Sequence, residues 1–163
     1  MKKTHVSRET QVRFFGKRKP LNGLDKTAFK QCLLETAIRE QQRILNINYI
    51  LVDDEELLQI NREHLQHDYY TDIITFDLTD AAGEIEGEIY ISWERVADNA
   101  IELQTGETEM IRVLYHGALH LMGYKDKTKK EQEQMREKEN ECVNLYQQLK
   151  EQLNTVSRET HAI

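Results

Sequence analysis

Residues 116–126 read His116-Gly117-Ala118-Leu119-His120-Leu121-Met122-Gly123-Tyr124-Lys125-Asp126. Just before and within this stretch, Met110, Val113, Leu114, Gly117 and Leu121 recur at helical spacing, which predicts a helix from about Glu107 to Met122. His116 and His120, four apart on that helix, present both imidazoles from one face about one turn apart. Gly123 can take the positive φ that ends a helix. The chain can then turn and bring Asp126 back to the same point. Two nitrogens, a reversal and an oxygen make a three-ligand set with a fourth position left to water, which describes a catalytic zinc site more than a structural one. Zinc peptidases of the His-Glu-x-x-His type carry their general base directly after the first His. Here that position is Gly117, which counts against peptide hydrolysis.

The rest of the chain alternates strand and helix signals around this segment. Residues 10–15 can form a short strand, and Lys17 to Leu21 a basic loop broken by Pro20. Asp25 can cap a helix whose apolar positions are Phe29, Cys32, Leu33, Thr36 and Ala37. Residues 44–52 (ILNINYILV) are β-branched and aromatic and predict a strand, followed by an acidic helix start at Asp53 and Glu56. Thr71–Leu78 and Glu86–Ser92 predict two strands, able to pair as a hairpin through the turn at 79–83. Ser92 can cap a helix from Trp93 to Gln104, and Thr105-Gly106 breaks it. Thr128 with Glu131 makes a capping box for a last helix with the stripe Met135, Cys142, Leu145, Tyr146, Leu149 and Leu153. The expectation is a single α+β domain over 1–163: a small mixed sheet packed by about five helices, the metal-site helix toward the C-terminal half, tails at about 1–9 and 154–163 flexible.

Length and composition suit one globular domain: 163 residues, 39% hydrophobic, 31% charged. No apolar run approaches a membrane span of roughly 20 residues, and no apolar stretch follows the opening lysines, so neither a membrane partner nor a secretory leader is expected. Two cysteines, Cys32 and Cys142, cannot make a disulfide framework; both sit on apolar stripes and read as core, which suits a reducing, cytoplasmic setting. The net charge of −7 argues against gripping nucleic acid by bulk charge, and no DNA partner is expected. The charge is uneven, however. Residues 1–30 carry nine Lys/Arg against Glu9 and Asp25, whereas 53–109 hold 17 acids against Arg62 and Arg95.

The segment His116–Tyr124 resembles the H-G-x-L-H-L-x-G-Y signature of the bacterial rRNA maturation factor family YbeY. Ile60-Asn61, leading through Asp68 to Thr71-Asp72-Ile73-Ile74-Thr75-Phe76, is similar to that family's L-N…D-x-x-T-D-V-L-S-F, and Gly87–Ser92 to its G-D-I-x-I-S. Met135 stands where a methionine follows the signature, and the resemblance covers roughly residues 20–150. It implies an α+β fold, one Zn2+ per chain held by His116, His120 and Asp126, and a single-strand endoribonuclease working in 16S rRNA 3′-end maturation and ribosome quality control, with the 16S precursor and small subunit as partners. Two positions depart from the pattern. Asp126 stands in place of a third His, which lowers the charge of a zinc site from +2 to +1. Leu65 stands where the resemblance implies an Arg that faces the metal and holds phosphate; Arg62, His64 or His67 would then have to substitute.

Asp72, Thr75 and His64 are the pocket candidates, although a capping Asp, a strand Thr and polar loop histidines are ordinary too. No general base is identifiable. RNA contact is expected from the basic segment Arg13, Lys17, Arg18, Lys19 and from Lys125 and Lys127 beside the metal loop. Two alternatives stand beside the nuclease: a non-catalytic, zinc-stabilised ribosome assembly factor, and a metallopeptidase. A separate feature is the pentapeptide Val-Ser-Arg-Glu-Thr, at 6–10 and again at 156–160. The codons GTT-TCA-CGT-GAA-AC(N) would spell a palindrome resembling the site that chromosome-partitioning proteins bind. The expectation is that DNA, not folding, constrains the repeat; scattered synonymous codons at either copy would sink it there.

Overall fold

The computed structural model describes residues 9–161. Four strands form one mixed sheet: β1 (Gln11–Gly16), β2 (Arg43–Val52), β3 (Ile73–Asp77) and β4 (Glu84–Ser92), in the order β1-β2-β4-β3. β1, β2 and β4 run parallel, and β3 closes the far edge antiparallel to β4 as the expected hairpin. Among the described residues there are five helices, α1 (Lys26–Arg39), α2 (Asp54–Leu65), α3 (Trp93–Glu102), α4 (Thr108–Leu121) and α5 (Lys129–His161), the first four packed on the sheet and α5 on α1 and α4, with a short 3-10 turn at Lys19–Leu21.

The helices start where the sequence places caps. The Asp25 carboxylate accepts from the Ala28 N–H, Asp53 from Glu56 and Ser92 from Arg95, each satisfying an otherwise orphaned first-turn donor. The Thr128 hydroxyl does the same for Glu131 at the head of α5. That helix continues to His161, through the segment expected as a tail. Once nucleated, a helix of Glu, Gln, Leu and Lys propagates at little cost per residue even with residues 151–159 all exposed. The first tail, at about 1–9, lies outside the described residues but for Glu9, as do His5 and most of the first pentapeptide copy. The second copy lies in the last turns of α5.

Alternation in the strands divides the sheet. Ile47, Tyr49 and Leu51 of β2 and Ile85, Gly87, Ile89 and Ile91 of β4 are buried on one face, in the main core with α1, α4 and α5. Cys32 and Cys142 are free thiols inside this core. The other face carries a smaller cluster, in which Leu57 and Ile60 of α2 cover Val52, Ile74 and Phe76. The approach of α4 to the β3–β4 edge is unusually close. A Cβ on Gly117 would fall 2.8 Å from Ile89 Cγ2 and 3.0 Å from Ile73 Cδ1, and one on Gly87 2.6 Å from both Leu121 methyls. The Tyr49 hydroxyl donates to the Leu114 carbonyl at 2.9 Å and pins α4 from beneath. Position 117 is therefore a packing position pressed on the sheet, with no room for the base of a His-Glu-x-x-His peptidase.

Candidate metal centre

Because α4 presses Gly117 onto the sheet, the faces at 116 and 120 turn toward the β3 edge. There His116 Nε2 and His120 Nε2 lie 3.0 Å apart, and Asp126 Oδ2 lies 3.3 Å from the first and 3.2 Å from the second. The loop that returns Asp126 is built from local bonds. Gly123 takes φ +105°, and the Gly123 and Tyr124 amides donate to the carbonyls of His120 and Leu119. The Tyr124 hydroxyl donates to Glu40 at the end of α1, so the loop is tied to the core at both levels. Burial, then the Glu40 carboxylate, push that phenol up to about 12, so it remains a donor throughout the physiological range.

The outward nitrogens are occupied. His120 Nδ1 lies 2.9 Å from the Tyr124 carbonyl, and His116 Nδ1 lies 2.8 Å from Glu139 Oε2 on α5. Both partners are acceptors, so each Nδ1 donates outward and each ring turns its Nε2 inward. Two imidazole nitrogens and a carboxylate oxygen converge there, each able to ligate a cation placed at their centre. The edges of 3.0–3.3 Å are close to the roughly 3.3 Å expected between ligands of a tetrahedral ion held at about 2.0–2.1 Å. Nitrogen, nitrogen and oxygen suit zinc among other divalent transition metals. Glu139 is 6% exposed and also accepts from Arg112 Nη1 at 3.3 Å, so the carboxylate that orients His116 is itself held. Burial alone would lower the His116 pKa, but the Glu139 carboxylate, with Asp126 and Asp72 beyond, raises it above its ordinary value. Glu139 is in turn held below the carboxylate norm: burial would raise it, and His116 and Arg112 outweigh that.

The three ligand residues line a cleft of about 650 Å³ that also takes in Leu65, His67, Tyr69, Asp72, Thr75 and Lys127. Behind His116 and Asp126 a smaller hollow of about 310 Å³ adds Glu109, Arg112, Arg136 and Glu139. Of the pocket candidates, Asp72 and Thr75 reach the cleft. His64 does not line it; it is the second-last residue of α2, and its ring stands edge-on to Phe76, 5.8 Å between centroids. The left-handed Gln66 (φ 56°) then swings the next residues over, so His67 enters the cleft where His64 does not. Among the basic candidates only Lys127 lines the cleft, and Lys125 is exposed beside it. Arg13 bonds Asn48 at 3.2 Å on β1, the opposite edge of the sheet. Lys17, Arg18 and Lys19 share a hollow with Trp93, and the Lys17 ammonium sits 5.4 Å from the indole centre. Reasoning from sequence missed Glu139. Its signal was the i+4 spacing from Met135 on the α5 stripe, where a carboxylate interrupts an apolar face.

Comparison with known proteins places this chain in a family. The family model "Endoribonuclease YbeY" matches residues 11–147. The chain is similar to the endoribonuclease YbeY of Cytophaga hutchinsonii, 56% identical over 110 residues, covering 67% of this chain and 77% of that one. It is similar also to the Porphyromonas gingivalis protein of the same name, 38% identical over 139 residues, 85% of this chain and 91% of the other. In structure it resembles the solution structure of TM1509 from Thermotoga maritima, with a TM-score of 0.57 at 31% identity over 83% of this chain and 89% of that one. The chain belongs to the YbeY endoribonuclease family.

Proposed function

We propose that this protein is a zinc-dependent endoribonuclease that cuts single-stranded RNA and acts in 16S rRNA 3′-end maturation. The observation that carries the reading is the convergence of His116 Nε2, His120 Nε2 and Asp126 Oδ2, three atoms able to ligate one ion, in an open cleft of a chain from an endoribonuclease family. A divalent metal held there would supply Lewis-acid polarisation of a phosphodiester oxygen and a more acidic water. The protein supplies the rest. Glu139 and the Tyr124 carbonyl fix both imidazole tautomers. Asp72 and Thr75 offer polar atoms on the wall facing the ligands, suited to orienting water or a ribose hydroxyl. Lys127 offers one cation to a flanking phosphate, and the basic groups Arg13, Lys17, Arg18 and Lys19 hold RNA farther away. Small-subunit rRNA as the physiological substrate, and the cytoplasm as the setting, belong to the same proposal.

The test is one zinc per chain by elemental analysis, together with 16S 3′-end mapping in cells depleted of the protein and rescued with wild type or His116→Ala. Correct ends with wild type alone support the reading. Equal rescue by both forms refutes metal-dependent processing. A second reading, a metal-stabilised assembly factor without catalysis, draws on Leu65: the cleft is lined by three aspartates and a single lysine, a poor phosphate grip. Small-subunit binding without cleavage of authentic precursor would select it. Gly117, pressed on the sheet, removes the support for a peptidase.

A further inference from the structure

The cleft holds an aromatic feature that the metal chemistry leaves unused. The rings of His67 and Tyr69 stack at 5.1 Å between centroids and 20° between planes, and His67 Nδ1 lies 2.9 Å from the Tyr69 hydroxyl. Both line the cleft with the metal ligands, yet Tyr69 is 56% exposed, so the pair adds little to the core. The backbone beneath is fixed. Asn61, 1% exposed, donates its side-chain amide to the Tyr69 carbonyl at 2.9 Å, and its own carbonyl accepts from the His67 N–H at 3.2 Å. Arg62 pairs with Asp68 between the two aromatic residues. A buried asparagine thus fixes the backbone beneath an open two-ring platform in the cleft of the candidate metal centre.

The charge of the cleft says what such a platform is for. Asp72, Asp77 and Asp126 line the cleft with Lys127, so away from the metal position electrostatic attraction for phosphate is weak. Leu65, 41% exposed in the same cleft, adds apolar surface and no donor. Beyond the metal position and Lys127, what remains for holding a nucleotide is its base: every base has a π-face, and stacking on tyrosine or histidine tolerates any sequence. We propose that the stacked His67–Tyr69 pair is a nucleobase subsite, in which a base of single-stranded RNA stacks on the open face of the pair beside the phosphodiester at His116, His120 and Asp126. This rests on the ribonuclease reading above and specifies how that substrate is held: base first, phosphate second. A duplex cannot use the subsite, because its bases are already stacked and paired.

The test uses the zinc-loaded full chain and a short labelled oligoribonucleotide, intact or with one abasic ribose at each position in turn. Affinity is read by fluorescence anisotropy and cleavage by gel. Wild type should lose about tenfold in affinity when one particular base is removed. Tyr69→Ala should bind the intact oligomer about tenfold more weakly and be indifferent to the abasic position, Tyr69→Trp should restore both, and His67→Ala should fall between. Zinc content measured alongside separates loss of the platform from loss of the fold. Equal affinity of wild type and Tyr69→Ala, or a penalty for abasic sites that survives in Tyr69→Ala, overturns the proposal. Failure of wild type to cleave any RNA would count against the ribonuclease reading alone, because the base dependence of binding is read without cleavage.

Discussion

The two edges of the sheet are chemically opposite. At the β3 edge, α4 and its following loop bring together two histidines and an aspartate, and the cleft around them is acidic and aromatic. At the β1 edge, a groove of about 690 Å³ between β1 and α1 is lined by Arg13, Lys26 and Lys30 with Phe14 and Phe15 and no carboxylate. The metal edge is built from groups that bond each other tightly; at the basic edge the Lys26 ammonium lies over the Phe14 ring and is otherwise turned to solvent. The candidate metal centre and the basic groove therefore lie at opposite edges of the sheet. On the proposed reading, a chain of net charge −7 grips RNA mainly at the basic edge, with Lys127 beside the metal. That separation should be visible in mutants: changes at the metal edge should alter metal and turnover, and changes at the basic edge only grip and its salt dependence.

The largest effect is expected from His116→Ala or His120→Ala. Each removes one of three ligands, so zinc content by elemental analysis should drop from about one per chain to near zero, with cleavage lost in step. Next comes Glu139→Gln, which keeps the shape but weakens the hold on the His116 proton. Zinc affinity by chelator competition should fall by about 10- to 100-fold. The same variant has a signature in the metal-free protein. His116, raised above its ordinary 6.5, contributes stability that is fully present below 6.5 and lost as pH rises through its folded value. Glu139, held below its ordinary 4.5, contributes stability present above 4.5 and lost as pH falls through its own folded value. The Tm advantage of wild type over Glu139→Gln should then be widest between about 4.5 and 6.5 and shrink toward alkaline pH. Zinc affinity should move the other way, rising with pH as His116 loses its proton. A Tm gap that is flat from pH 5 to 9 would break the pair.

The metal edge was the more legible of the two from sequence, for a physical reason. Its ligands are local: His116, His120, Gly123 and Asp126 lie within one helix end and its turn, where spacing alone fixes direction. The strands and caps were legible for the same reason, since alternation and Asp25, Asp53, Ser92 and Thr128 act over two to four residues. The supports were not. Glu139 is 23 residues from His116, and only the packing of α5 on α4 brings them together. His64 and His67 were indistinguishable as polar residues at a helix end, and the left-handed Gln66 sent only the second into the cleft. The basic residues of 13–19 were legible as charge, but not their place: the strand order β1-β2-β4-β3 puts Arg13 on the edge away from the metal, and Lys17, Arg18 and Lys19 gather beside Trp93 at the start of α3.

At the basic edge the effects should be smaller. Arg13→Glu with Lys30→Glu should weaken binding of single-stranded RNA by several-fold. The salt dependence should flatten by about 0.7 for each phosphate no longer neutralised, with zinc content unchanged. An equal loss of zinc would show that the edges are coupled through the sheet. The smallest change asks whether the metal edge can be made to grip as the basic edge does. Leu65 stands in the metal cleft, 41% exposed, at the position where the sequence signature implies an arginine. Leu65→Arg should lose little packing, since the leucine is already half in water. It places a guanidinium opposite Asp72, Asp77 and Asp126, so part of its charge will be spent on those carboxylates before any phosphate arrives. The gain in RNA affinity should accordingly be only about two- to fivefold, with a salt dependence steeper by at most about 0.7, the value for neutralising one phosphate of a single strand. Removing the Lys127 charge in that background should then cost less than it does in wild type, because the two cations would serve the same phosphate. If Leu65→Arg instead weakens binding, the leucine is part of the surface that holds the base, and the cleft selects its RNA by stacking rather than by charge.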